Sequence, residues 1–133
     1  MPTYTNSPTP NSPSETLITN GAIHVITNSN GGASAVTTLL SAVTATGAGS
    51  AVGGGKATYQ ASGTTSSGAG AATILVQGSN NNSDWLTIGT ITLTLATTSS
   101  SDGFVSDTPW AYVRGNCTAI SGTGAAVTLT KAV

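Results

Sequence analysis

The acidic, basic, metal-ligating and thiol side chains of this 133-residue sequence are Glu15, Asp84, Asp102, Asp107, Lys56, Lys131, Arg114, His24 and Cys117. General acid–base catalysis, metal binding and phosphate handling all draw on these residue types. Charged residues make up 5% of the chain, against about 25% in an average soluble domain. So thin a stock predicts a protein that is not an enzyme, with no catalytic residue, no cofactor and no metal. The rest is chiefly Ser, Thr, Ala, Gly, Asn and Val, and it reads as structural material.

The apparent motifs fail on spacing. Gly53-Gly54-Gly55-Lys56-Ala57 invites a phosphate-loop reading, but that motif needs a Gly five residues before the Gly-Lys pair and a Ser or Thr after the Lys. Ser50 and Ala57 stand there instead. His24 has no orienting carboxylate nearby and no Gly-x-Ser-x-Gly elbow to serve, so it is expected to be structural. Asp102 and Asp107 flank Phe104 without a third acidic neighbour and are expected to stabilise turns rather than hold Ca²⁺. Asn81-Asn82-Ser83 and Asn116-Cys117-Thr118 match the glycosylation pattern by chance in a chain rich in Asn and Thr. The opening Met1-Pro2-Thr3-Tyr4 shows no secretory signal that would make the pattern relevant.

A net charge of −1 provides no basic footprint for nucleic acid, and no apolar run reaches the length of a membrane span. The single Cys117 is expected as a small buried hydrophobe in a protein that needs no oxidising compartment. Trp85, Trp110 and Phe104 are nearly the only large aromatic groups beside three tyrosines. Trp85 is therefore expected in the core, whereas Trp110 could belong to the core or to a contact surface together with Tyr112 and Asn81. An interior of Ala, Thr and Val yields less burial energy than one of Leu and Phe. With so little charge repulsion, the chain is expected to form a small oligomer, trimer or dimer.

The elements that must position these residues are strands. Four of the five prolines, Pro2, Pro8, Pro10 and Pro13, fall in residues 1–14, which predicts an extended arm also carrying Tyr4; residues 15–133 are expected to form one domain. Ile23 and Val25 alternate with Ala22 and His24. Ala35 to Ala45 reads as strand rather than helix because Thr and Val interrupt it. Gly47–Gly55 reads as a loop, and Gly63–Gly70 as a long mobile connection between strands at Ala57–Ser62 and Ile74–Val76. Asn80–Ser83 supplies turn chemistry. Leu86 and Ile88 set one phase of burial and Ile91, Leu93 and Leu95 the other, which predicts a bulge or bend at Gly89 that restores one buried face. The short spacer Ser121–Gly124 predicts a hairpin between the last two strands. About eight strands with turns between them predict an all-β antiparallel sandwich, jelly-roll or immunoglobulin-like.

Five segments carry a resemblance: Val76-Gln77-Gly78-Ser79-Asn80, Trp85-Leu86-Thr87-Ile88-Gly89-Thr90, Gly103-Phe104, Pro109-Trp110-Ala111-Tyr112-Val113-Arg114, and Ile120 through Val127. Together they resemble a module of small virion proteins of tailed bacteriophages, over roughly residues 56 to 131. The resemblance implies a non-enzymatic virion component, made in the host cytoplasm. Its expected role is capsid decoration (cement) on the outer surface of the shell, with the major capsid protein and further copies of itself as partners. The arm residues Pro2, Tyr4, Pro8, Pro10 and Pro13 are expected to lie across a neighbour. The alternative is a tail- or fibre-associated receptor- or glycan-binding module that uses Trp110, Tyr112 and the Asn80–Ser83 loop.

Overall fold

β-branched and small residues alternating with hydroxyls favour extended backbone over helix. The computed structural model describes residues 35–133, and among them the chain forms nine strands and no helix. These are β1 (Val36–Val43), β2 (Gly47–Ala48), β3 (Val52–Gly53), β4 (Ala57–Thr64), β5 (Ser67–Ser79), β6 (Leu86–Leu95), β7 (Ser100–Ser106), β8 (Tyr112–Thr123) and β9 (Ala126–Ala132). The proposed arm with Pro2, Tyr4, Pro8, Pro10 and Pro13, the boundary at residue 14, the strand at Ile23 and Val25, and His24 lie outside the described residues.

The strands form two antiparallel sheets, ordered β1-β9-β4-β7 and β2-β8-β5-β6, with β3 also paired to β8. Gly47 stands opposite Cys117 and Val52 opposite Val113, so β2 and β3 are two pieces of one interrupted edge along β8. The pairs then nest in chain order: β1 with β9, β2 and β3 with β8, β4 with β7, and β5 with β6. A long hairpin rolled up so that successive pairs fall in alternate sheets has jelly-roll connectivity, which decides between the two topologies expected.

Three local expectations are corrected. The spacer Ser121–Gly124 makes no hairpin: β8 and β9 belong to different sheets. Gly122 at φ 117° and Gly124 at φ 63° turn the chain from one sheet to the other, and the Ala125 N–H closes the corner on the Gly122 carbonyl at 3.2 Å. Period-two burial looks the same in both sheets, so the pattern alone cannot assign a strand to one of them. The long connection at Gly63–Gly70 is also shorter than expected, because β4 runs to Thr64 and β5 begins at Ser67. Finally, the Gly47–Gly55 loop carries the β2 and β3 edge pieces.

Between the sheets lie Leu39, Leu40, Tyr59, Ile74, Val76, Ile91, Leu93, Leu95, Val113, Val127 and Leu129, with Ala57, Ala61, Ala72, Ala125 and Cys117 filling the gaps. The bulge on β6 is present. Val76 pairs with Gly89 but Gln77 with Thr87, which makes Ile88 the extra residue. Ile88 packs against the core; Leu86, beyond the bulge, is 59% exposed instead of continuing the buried face. Gly89 is required for close approach rather than for an unusual backbone angle, since a Cβ there would lie inside the Phe104 ring reaching over from β7. Phe104 in turn stacks on Tyr59 with ring centroids 5.3 Å apart.

Gly89→Val is expected to destabilise the domain by about 2 kcal/mol or more through overpacking. Adding Phe104→Ala should recover part of that loss, because the two side chains compete for one space. Urea denaturation of the two single variants and the double variant measures the coupling; a neutral Gly89→Val would contradict the packing.

The Tyr59 hydroxyl is buried without a hydrogen-bond partner among the described residues. Burial raises its pKa above the ordinary 10.0 and likewise pushes the Cys117 thiol above 9.0. Each group holds its proton more tightly in the folded state, so its contribution is complete below the unfolded pKa and is lost as pH rises from there towards the folded value. Stability should therefore fall from about pH 9 upward. Tyr59→Phe should remove the tyrosine part of that fall and leave stability at pH 7 unchanged or higher, since it deletes a buried, unsatisfied hydroxyl. Thermal melts between pH 7 and 11 test this, and a Tyr59→Phe variant with the alkaline fall undiminished would contradict it.

Candidate functional site

Alternation along β8 places Tyr112, Arg114 and Asn116 on one face and Val113, Gly115 and Cys117 on the other. Val113 and Cys117 are core residues, so the first set projects from the outer face of the second sheet. Tyr112 stands opposite Ser79, and Arg114 opposite Gln77 of β5. Arg114 Nε donates to Gln77 Oε1 at 2.9 Å. Its guanidinium carbon lies 4.3 Å from the centroid of the Trp85 ring. Arg114 is the only arginine of the chain, and it lies over an indole while its Nε edge is hydrogen-bonded to an amide. Among the described residues its two terminal nitrogens make no hydrogen bond.

The turn before Trp85 is built by Asn81. Its Oδ1 accepts from the Ser83 N–H at 2.9 Å, the Asp84 N–H at 2.8 Å and the Ser79 hydroxyl at 3.1 Å, and its Nδ2 donates to Asp84 Oδ2 at 2.8 Å. Asn82 adopts φ 59°, a left-handed conformation that Asn tolerates better than most residues. Asn80 Oδ1 accepts the Ala111 N–H at 3.1 Å, which ties the turn to the segment leading into β8. These bonds set Trp85 beside Arg114. They also give Asn81 an intramolecular role, although it is exposed as expected of a contact residue.

The structure reverses the expectation for Trp85, which is half-buried on the outer face and not part of the core. The reason is the β6 bulge: with Leu86 and Ile88 in the inward phase before it, Trp85 and Thr87 must face outward. That consequence of the phase switch was available from the sequence. Trp110 instead closes the end of the core, its ring occupying the space over Gly78 where a Cβ would come within 2.5 Å. Tyr112, 38% exposed, shares the face of Arg114. Of the three surface residues expected, Tyr112 is exposed on the same face as Arg114, Asn81 builds the turn before Trp85, and Trp110 packs against the core.

Of the other chemistry-bearing residues, Cys117, Asp102 and Lys131 serve the fold. Cys117 is fully buried, the small hydrophobe expected. Asp102 accepts the Gly103 N–H at 2.8 Å. Among the described residues no three of the metal-ligating types come together. Lys131, in phase with Val127 and Leu129, is buried at 8% exposure and donates to the Gly53 carbonyl at 2.6 Å, a tie between the two sheets. A lysine at the end of an alternating apolar run was the signal for it.

Trp, Tyr and Arg are the residue types that concentrate binding energy at protein interfaces. Here one of each stands on a face otherwise carrying chiefly Thr and Ala, with Asn116 and a half-buried Leu75. A guanidinium stacked on an indole is pre-organised to present its fork to a carboxylate or carbonyl. No family model, curated protein or solved structure matches this chain.

Arg114→Ala should uncover Trp85 and so red-shift and increase the quenchable part of the tryptophan emission. The melting temperature should fall by only a few degrees, since an exposed cation–π contact contributes about 0.5–1 kcal/mol. Fluorescence with acrylamide quenching checks this; an unchanged emission spectrum would contradict the stacking.

Proposed function

We propose that this protein is a non-enzymatic phage virion component, a capsid decoration protein that attaches to the outer face of the assembled shell through the Trp85–Arg114–Tyr112 cluster. The observation that carries the reading is the cluster itself: Gln77, Trp85, Tyr112 and Arg114 all fall in the segments that resemble phage virion proteins, and the fold gathers them on one face. The major capsid protein is the partner, and a carboxylate or backbone carbonyl on it is the group the Arg114 fork would grip. Repetition over many equivalent shell positions makes modest individual contacts sufficient. The competing reading, a tail or fibre module that binds a glycan, needs an open aromatic platform. Arg114 lies over the Trp85 ring and Trp110 faces inward, which weighs against it.

Trp85→Ala and Arg114→Ala should each weaken binding to purified shells at least tenfold, the loss typical of a hot-spot side chain. Arg114→Lys should recover only part of the affinity, because an ammonium keeps the charge but not the planar fork. Co-sedimentation with undecorated shells measures this. Variants that bind as tightly as the parent would overturn the assignment of the surface, and a parent protein that ignores shells but binds host-surface glycan would favour the tail module.

A further inference from the structure

A sheet edge exposes unpaired N–H and C=O groups, and proteins blunt such edges with charges, prolines, bulges or interruptions. Among the described residues the sandwich has four edges, and three of them are blunted. The edge along β8 is broken into the two-residue pieces β2 and β3. β1 has two register shifts against β9 and a left-handed Ala42 at φ 47°. β7 carries Asp102. The fourth edge, β6, reads Leu-Thr-Ile-Gly-Thr-Ile-Thr-Leu-Thr-Leu, with neither charge nor proline. Its single bulge lies at Ile88, and from Gly89 to Leu95 it pairs with β5 without interruption.

We infer that β6 pairs antiparallel with β6 of a second copy of this chain across a two-fold axis at Thr92, continuing the second sheet through a dimer. The occupant follows from the pattern of the strand. Thr90-Ile91-Thr92-Leu93-Thr94 is palindromic in character, so an antiparallel copy centred on Thr92 sets Thr90 against Thr94, Thr92 against Thr92, and Ile91 against Leu93. The exposed Thr90, Thr92 and Thr94 become a threonine ladder on the outer face, a favourable cross-strand pairing. The apolar set stays in phase with the core. A net charge of −1 per chain opposes this approach very little. The surface is distinct from the Trp85–Arg114 cluster, and a dimer becomes the oligomer preferred over a trimer.

The register makes a sharp test in the full-length protein, in solution and without shells, so its outcome is independent of the capsid reading. Thr92→Cys should form a disulfide-linked dimer on mild oxidation, since directly opposed antiparallel residues lie within disulfide reach and the native Cys117 is buried. Thr58→Cys, on the exposed face of the other sheet, should not. In sedimentation velocity the parent should run as a dimer and T90K/T94K as a folded monomer with a cooperative melt. T90K/T94E should remain a dimer, because each Lys then faces a Glu across the axis. A monomeric parent, an uncrosslinked Thr92→Cys, or equal behaviour of the two charged double variants would overturn the proposal.

Discussion

Everything in this domain depends on how closely its two sheets approach. Large side chains are few, so the core is closed by seating them in glycine sockets on the opposite sheet: Phe104 over Gly89, and Leu129 with Leu40 over Gly115, where an added Cβ would lie 2.6 Å from Leu129 Cδ2. Alanines at positions 57, 61 and 72 fill the spaces between. Protein interiors tolerate neither voids nor overlap, and a core of small residues meets that condition only if the layers come near each other. Gly63, Gly89 and Gly115 are therefore packing residues, and Gly63 lies inside β4 against Val127 and Leu95 rather than at the end of a loop.

The same closeness explains the surface. With little room between the layers, the bulge at Ile88 lets β6 keep Ile91, Leu93 and Leu95 inward while the residues before it reverse phase. Trp85 is carried outward by that reversal and meets Arg114, whose own position is set by alternation from the buried Val113. Packing thus produces the cluster, and the Asn81 turn fixes it. The jelly roll leaves both outer faces to side chains that are chiefly uncharged, so one stacked cation stands out chemically.

Much of the fold was legible in the sequence, and the limits have physical causes. Alternation in Ala57, Tyr59 and Ala61, the bulge in β6 and the Asn-rich turn were legible because period two and turn chemistry are local, but the buried face expected to continue through Leu86 is not restored. Sheet membership was not legible, because inward-facing residues of both layers look alike; the expected hairpin at Ser121–Gly124 failed for that reason. At the candidate site, the exposure of Tyr112 was legible. Trp85 was misplaced because scarcity of large residues was weighed above the parity that fixed its direction. Arg114 was not legible as a site residue, because its neighbours Gln77 and Trp85 are joined to it only by strand register.

The most direct test of the proposed decoration role is a reconstruction of a phage particle that carries this chain. The expected result is density for the sandwich at many symmetry-related positions on the outer shell, with the face bearing Trp85, Tyr112 and Arg114 turned towards the capsid protein. Density confined to the tail, or a shell-bound sandwich whose Trp85–Arg114 face points to solvent, would contradict it.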